Sequence, residues 1–156
     1  MEPKSFLKTL SILHISLFVG LMLFSLFAYF QNGNFTANMQ QEDVFIYLVP
    51  LLAATGYFAS KLLFLKRVKA IKTEEKLQTK LSKYHSASLV KYALIEGPAF
   101  FALFSYYGNG NALYFVIAIS LMAYLFVQRP SAIKLIKELP LTLEEKKHFD
   151  TLRNLK

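Results

Sequence analysis

Glu96 is the residue whose type and position most demand a chemical account. It lies about eight residues into an apolar stretch, Leu89 to Tyr107, close to the midplane of a hydrocarbon layer ~30 Å thick. A carboxylate there costs roughly 2.5–3.5 kcal/mol on insertion scales. It must face the bundle interior or a cavity, or stay protonated through a raised pKa. Tyr92 precedes it by one turn, and Phe100 and Leu103 continue the same helical face. Gly97 and Pro98 follow directly. Proline has no N–H, so the Leu94 carbonyl loses its helical donor and the helix is free to kink. A carboxyl, a flexible residue and a freed carbonyl within one turn support two readings. One is a proton or cation site of the kind that broken helices build in transporters. The other is a protonated Glu that donates to a neighbouring carbonyl and fixes the kink. His14, in the first apolar stretch, has no second ligand and so makes no metal site. It is expected to bond a carbonyl or hydroxyl, and a contact with Glu96 would favour a proton relay. The proton or ion site candidates are therefore Glu96, Tyr92, His14 and Pro98. Lys91 points elsewhere and is expected to snorkel to headgroups.

Other chemistry is missing from the sequence. There is no Cys, hence no disulfide, thiolate metal site or cysteine nucleophile. No phosphate-cradling Gly-rich loop, metal cluster or Ser–His–Asp arrangement is present. The expectation is a protein that is not an enzyme and carries no cofactor or metal.

The elements that position these residues follow from the hydrophobic blocks. The 156 residues are 54% hydrophobic, too apolar for a disordered basic tail. The apolar residues fall in four runs, about 10–30, 44–65, 89–107 and 112–128, each near the ~20 residues a spanning helix needs. A soluble helix would show a polar face on every turn, and these runs do not. The first run is too long for a signal-peptide core of about 7–15 residues. The predicted fold is all-α: an integral membrane four-helix bundle in one domain, with a basic loop at 66–88 and a tail at 129–156.

Charge sets the orientation. Of 18 Lys and Arg, two precede the first span, nine lie from Lys61 to Lys91 and seven from Arg129 onward; the other two connections have none. Positive residues stay cytoplasmic. Both termini are therefore expected in the cytoplasm and the chain in a bacterial inner membrane.

The halves repeat. Phe24–Asn34 reads FSLFAYFQNGN and Phe101–Asn111 reads FALFSYYGNGN, with seven of eleven positions identical at an offset of 77. Two parallel helical hairpins related by an axis along the membrane normal are predicted. The offset also pairs Ser16 and Gly20 with Ala93 and Gly97, both small-x-x-x-small spacings; Gly56 and Ser60 form a third. Small residues let helices approach closely in lipid, so these six are the helix-packing candidates.

Outside the spans, apolar residues at Leu65, Val68, Ile71, Leu77, Leu81 and Tyr84 predict an amphipathic helix continuing from the second span. Its other face carries Lys66, Arg67, Lys69, Lys72, Lys76, Lys80 and Lys83. These are read as contacts to anionic headgroups, with a partner surface as the alternative. Nucleic acid is not expected, since no stacking platform or reading motif accompanies the charge. In the tail, Pro130 and Pro140 stop helices. Thr142 and Glu145 have capping-box spacing, which predicts a helix from Leu143 to about Leu155 with Phe149 and Leu152 on one face.

The stretch Ala93–Pro130, with its Glu-Gly-Pro-Ala-Phe-Phe segment, Gly-Asn turn and Arg-Pro exit, resembles small uncharacterised membrane proteins of Bacteroidota over about a quarter of the chain. That resemblance implies a four-span architecture and carries no activity. Rotary ATPase proteolipids also place a carboxylate in mid-membrane, but in the second helix of a Gly- and Ala-rich hairpin. Small multidrug-resistance transporters place theirs in the first span. Two functions are thus expected from the sequence. The first is an accessory or scaffold subunit that packs with a membrane partner or a second copy. The other is a small proton- or cation-coupled transporter using Glu96.

Overall fold

The computed structural model describes residues 3–37 and 43–153. Among them the regular structure is helical: α1 (Pro3–Asn32), α2 (Phe45–Lys69), α3 (Leu77–Asn109), α4 (Ala112–Val127), α5 (Ala132–Glu138) and α6 (Leu143–Arg153). α1, α2 and α3 are each long and apolar enough to cross a membrane. α4 has 16 residues, about 24 Å of helix, and counts as a span only together with α5, from which an 82° bend separates it. The chain is thus an all-helical protein of the membrane class.

α3 organises the bundle. It packs on α1, α2 and α4, while α4 also touches α1 and α2. Ring contacts fix the directions. Phe6 meets Tyr84, His14 meets Tyr92 and Phe24 meets Phe100, so α1 runs with α3. Phe45 meets Phe101 and Phe64 meets Tyr84, so α2 runs against α3. Phe18 meets Phe126 and Tyr29 meets Phe115, so α4 runs against α1 and hence with α2, which it touches through Tyr57 and Tyr124. The expected hairpin of the first two spans is not closed by packing. α1 leans on α3, α4 and α6 rather than on α2.

The helix foreseen over 65–84 is instead two helices. α2 ends at Lys69 and α3 begins at Leu77, well before the apolar stretch at 89. The break has a physical cause. Ile71 is buried in the core, and the Glu75 carboxylate accepts from the Lys72 backbone N–H at 3.1 Å and from the Lys83 ammonium at 2.8 Å. A continuous helix would forfeit both. The turn folds the basic segment back on itself, and α3 runs on through the membrane stretch for 33 residues.

The two ends of the bundle are held differently. At one, Phe6, Leu10, Phe64, Val68, Leu81 and Tyr84 join Leu135 and Phe149 in a packed core. α5, which the sequence pattern did not announce, is capped by Ser131, whose side chain accepts from the Lys134 N–H. α6 opens with the expected box: Thr142 N–H donates to Glu145 at 2.8 Å, and Glu145 N–H donates to the Thr142 hydroxyl at 3.3 Å. Phe149 is buried, whereas the side chain of Leu152, expected on the same face, and residues 154–156 lie outside the described residues.

At the other end the Asn-Gly-Asn turns meet. Gly33 and Gly110 take positive φ, +64° and +73°, as the left-handed end of a helix requires. The Asn32 amide donates to the carbonyls of Tyr106 and Tyr107 at 2.9 Å each, supplying the Tyr107 carbonyl, which α3 leaves open, and adding to the Gly110 N–H that already caps Tyr106 at 2.8 Å. The Tyr106 hydroxyl donates to Asn34 O at 3.0 Å, and Ala112 N–H donates to Thr36 O at 3.0 Å. Asp43 accepts from Asn109 and Tyr114 and from the Phe45 N–H, which fixes the start of α2.

Candidate functional site

Glu96 lies on the seam between α3 and α1. Tyr92 and Phe100 stand one turn to either side of it, and both touch α1: Tyr92 edge-on to His14 with ring centroids 5.0 Å apart, Phe100 against Phe24 at 5.4 Å. Glu96 therefore faces α1 between those two contacts. It is only part-buried, and among the described residues no hydrogen bond or ion pair reaches it.

Of the four proton-site candidates, the fold brings Tyr92, His14 and Glu96 to one seam and sends Pro98 elsewhere. His14 is 2% exposed, and its Nε2 lies 2.8 Å from the Leu125 carbonyl. A carbonyl only accepts, so Nε2 carries the proton in this pair. This is the carbonyl partner expected for a histidine at this place. Nδ1 is buried with no partner among the described residues. His14 and Glu96 are not bonded to one another.

Pro98 faces α2. Leu94, whose carbonyl Pro98 deprives of a helical donor, sits with it against Gly56: a Cβ built on Gly56 would overlap the Leu94 carbonyl oxygen and reach Pro98 Cγ at 2.7 Å. Ser60, one turn on, is fully buried and donates to Tyr57 O at 2.7 Å. Gly56 and Ser60 thus form a close helix contact of the expected kind. The other four packing candidates make no such close contact among the described residues. Ser16, Ala93 and Gly97 are exposed and Gly20 is part-buried, with open space where a Cβ would stand on either glycine.

The basic face divides as well. Lys66, Arg67, Lys69, Lys72, Lys76 and Lys83 are exposed. Lys80 is not, which corrects its reading as a headgroup contact. It is 0% exposed and donates to Glu145 at 2.8 Å. The reason is tertiary: α6, packed on α1 and α5, brings Glu145 to this side of α3, and a buried ammonium needs a counter-charge. Burial pushes the Glu145 carboxyl up, but the bonds from Lys80 and Thr142 outweigh it and hold the group below the usual carboxylate range. Glu75 is likewise held low, chiefly by the Lys83 hydrogen bond and then by the Lys72 N–H. The Tyr84 hydroxyl donates to Glu138 at 2.6 Å, a pairing across 54 residues that no local pattern signals. Lys91 places its ammonium 4.2 Å from the centroid of the Phe64 ring, a cation–π contact instead of a free snorkel.

Three cavities accompany these groups. One of about 290 Å³ is lined by Arg67, Ala70, Ser82, Lys83 and Ser86. Another, about 160 Å³, lies among His14, Ile15, Phe18, Phe126 and Arg129. A third, also about 160 Å³, lies by the Asn-Gly-Asn turn, lined by Tyr29, Phe30, Gly33, Asn34, Phe35 and Tyr106. Glu96 lines none of the three. Among the described residues no three His, Cys, Asp or Glu side chains gather as a metal site would require. No family model, curated protein or solved structure significantly matches the chain.

Proposed function

We propose that the chain is a multi-pass inner-membrane protein that serves as a non-enzymatic accessory or scaffold subunit, with both termini in the cytoplasm. The observation that carries this reading is the α1–α3 seam. A carboxyl in a spanning helix without a partner is costly. Here it stands beside two glycines with open flanks, where a helix of another chain or a second copy would seat and offer a donor. The one-sided distribution of 18 Lys and Arg supports the orientation. We read the two Asn-Gly-Asn turns, alike in sequence and in their left-handed glycines, as the remnant of a duplicated hairpin whose halves have since packed differently.

The test is purification from native membranes in mild detergent. A stoichiometric partner or stable oligomer, lost in Gly97→Leu, is the expected result. A lone monomer contradicts the reading.

The His14–Tyr92 contact beside Glu96 favours a second reading, a small proton- or cation-coupled transporter. It requires Glu96→Gln to abolish pH-dependent flux in vesicles while insertion is retained. Unchanged flux removes it.

A further inference from the structure

The largest of the three cavities opens between the end of α2 and the start of α3, and the helical spans do not account for its polar lining. Arg67 lies two residues beyond Leu65, the end of one apolar run, and Ser86 three residues before Leu89, the start of the next. The cleft therefore sits just outside the hydrocarbon, at the depth of phospholipid phosphates. We infer that it is a discrete binding site for the phosphate of an anionic glycerophospholipid, held between Arg67 and Lys83 with Ser82 and Ser86 as hydroxyl donors.

The chemistry of the lining carries the assignment. A guanidinium presents a planar fork that matches two phosphate oxygens, while an ammonium adds a point charge. Arg67 is exposed, and among the described residues no carboxylate pairs with it. Ala70 contributes almost no side-chain bulk, which leaves a shallow groove of about 290 Å³ whose lining residues are all exposed, open for a headgroup to enter from the side. Lys83 is shared. Glu75 contacts its ammonium at 2.7 and 2.8 Å, yet the side chain stays 49% exposed and has three donors. Glu75 thus positions the ammonium at the cleft and also opposes a second anion, so its charge limits the affinity. The other basic residues of this end, such as Lys69, carry the same charge outside the cleft.

The inference rests on the membrane reading and not on the subunit reading. Its test uses the full-length protein in mild detergent, titrated with phosphatidylglycerol, phosphatidylcholine or inorganic phosphate and read by native mass spectrometry. Phosphatidylglycerol is expected to bind in preference to phosphatidylcholine. Arg67→Gln and Lys83→Gln should each weaken it about fivefold, the effect of roughly one basic contact. Arg67→Lys should weaken it less, and Glu75→Gln should tighten it. Lys69→Gln should leave it unchanged. Equal losses in Lys69→Gln and Arg67→Gln would overturn the site in favour of diffuse charge attraction. Displacement of the lipid by millimolar inorganic phosphate would overturn the lipid assignment. Partner co-purification, scored on the same preparations, reports on the subunit reading separately.

Discussion

The two seams of α3 use the same sequence device to different ends. On the α2 side, Gly56 and Ser60 are buried and α2 lies on Leu94 and Pro98, with no room for even a methyl group at position 56. On the α1 side, Gly20 and Gly97 face open space and Glu96 has no partner among the described residues. A small-x-x-x-small pair states that a close approach is allowed. Whether the chain itself supplies the approaching helix depends on the rest of the fold. Pro98 decides it here. It frees a carbonyl on the α2 side, and a helix bearing a glycine is what can come near enough to cover it.

This contrast can be broken or sharpened by substitution, beginning with the largest expected effect. Gly56→Leu should destabilise the isolated protein by about 3 kcal/mol, the upper end for overpacking a tight contact, read as thermal unfolding in detergent. An unchanged midpoint would mean that the seam is loose. Next comes the clamp that α6 places on the same helix. Glu145→Gln should cost roughly 2 kcal/mol, because it weakens a charge-assisted bond to a buried Lys80. Acid should reproduce that loss. The folded Glu145 value is depressed, so its contribution is present above the usual 4.5 and disappears as pH falls from there through the folded value. Hydrogen exchange across 143–153 between pH 6 and 3 reports it, and Glu145→Gln should remove the dependence.

On the open seam the stability effects should be small. Gly97→Leu should change the unfolding midpoint of the isolated protein by no more than the equivalent of about 0.5 kcal/mol, as at a surface position, while abolishing co-purification of the partner. Smallest of all is Glu96→Gln, which breaks no bond among the described residues and should not lower the midpoint. A clear loss of stability there would show that Glu96 already has its partner inside the bundle.

Some of this was legible in the residues and some was not. The all-helical class followed from apolar runs, since nothing but helix satisfies backbone groups over such lengths in lipid. The Thr142–Glu145 box was legible because its bonds are local. Lys80 was misread because its neighbours on the pattern are exposed lysines, while its counter-charge lies 65 residues away on α6. The turn at 70–76 was missed for a related reason: spacings of three and four across it fit one helix as well as two, and only the Glu75 bonds decide. His14 needed a carbonyl, but which one was set by α4, 111 residues on. Likewise the three small-residue pairs look alike in sequence. Only the packing of α2 on Pro98 separates Gly56 from Gly20 and Gly97.

The claim that the α1–α3 seam is completed by another chain is tested most directly by a photo-crosslinking residue at position 97 in native membranes. Position 62 on α2, where Leu62 is likewise exposed, serves as the control. The account expects one discrete protein adduct at 97, diminished in Gly20→Leu, and none at 62. Lipid adducts alone at both positions would contradict it.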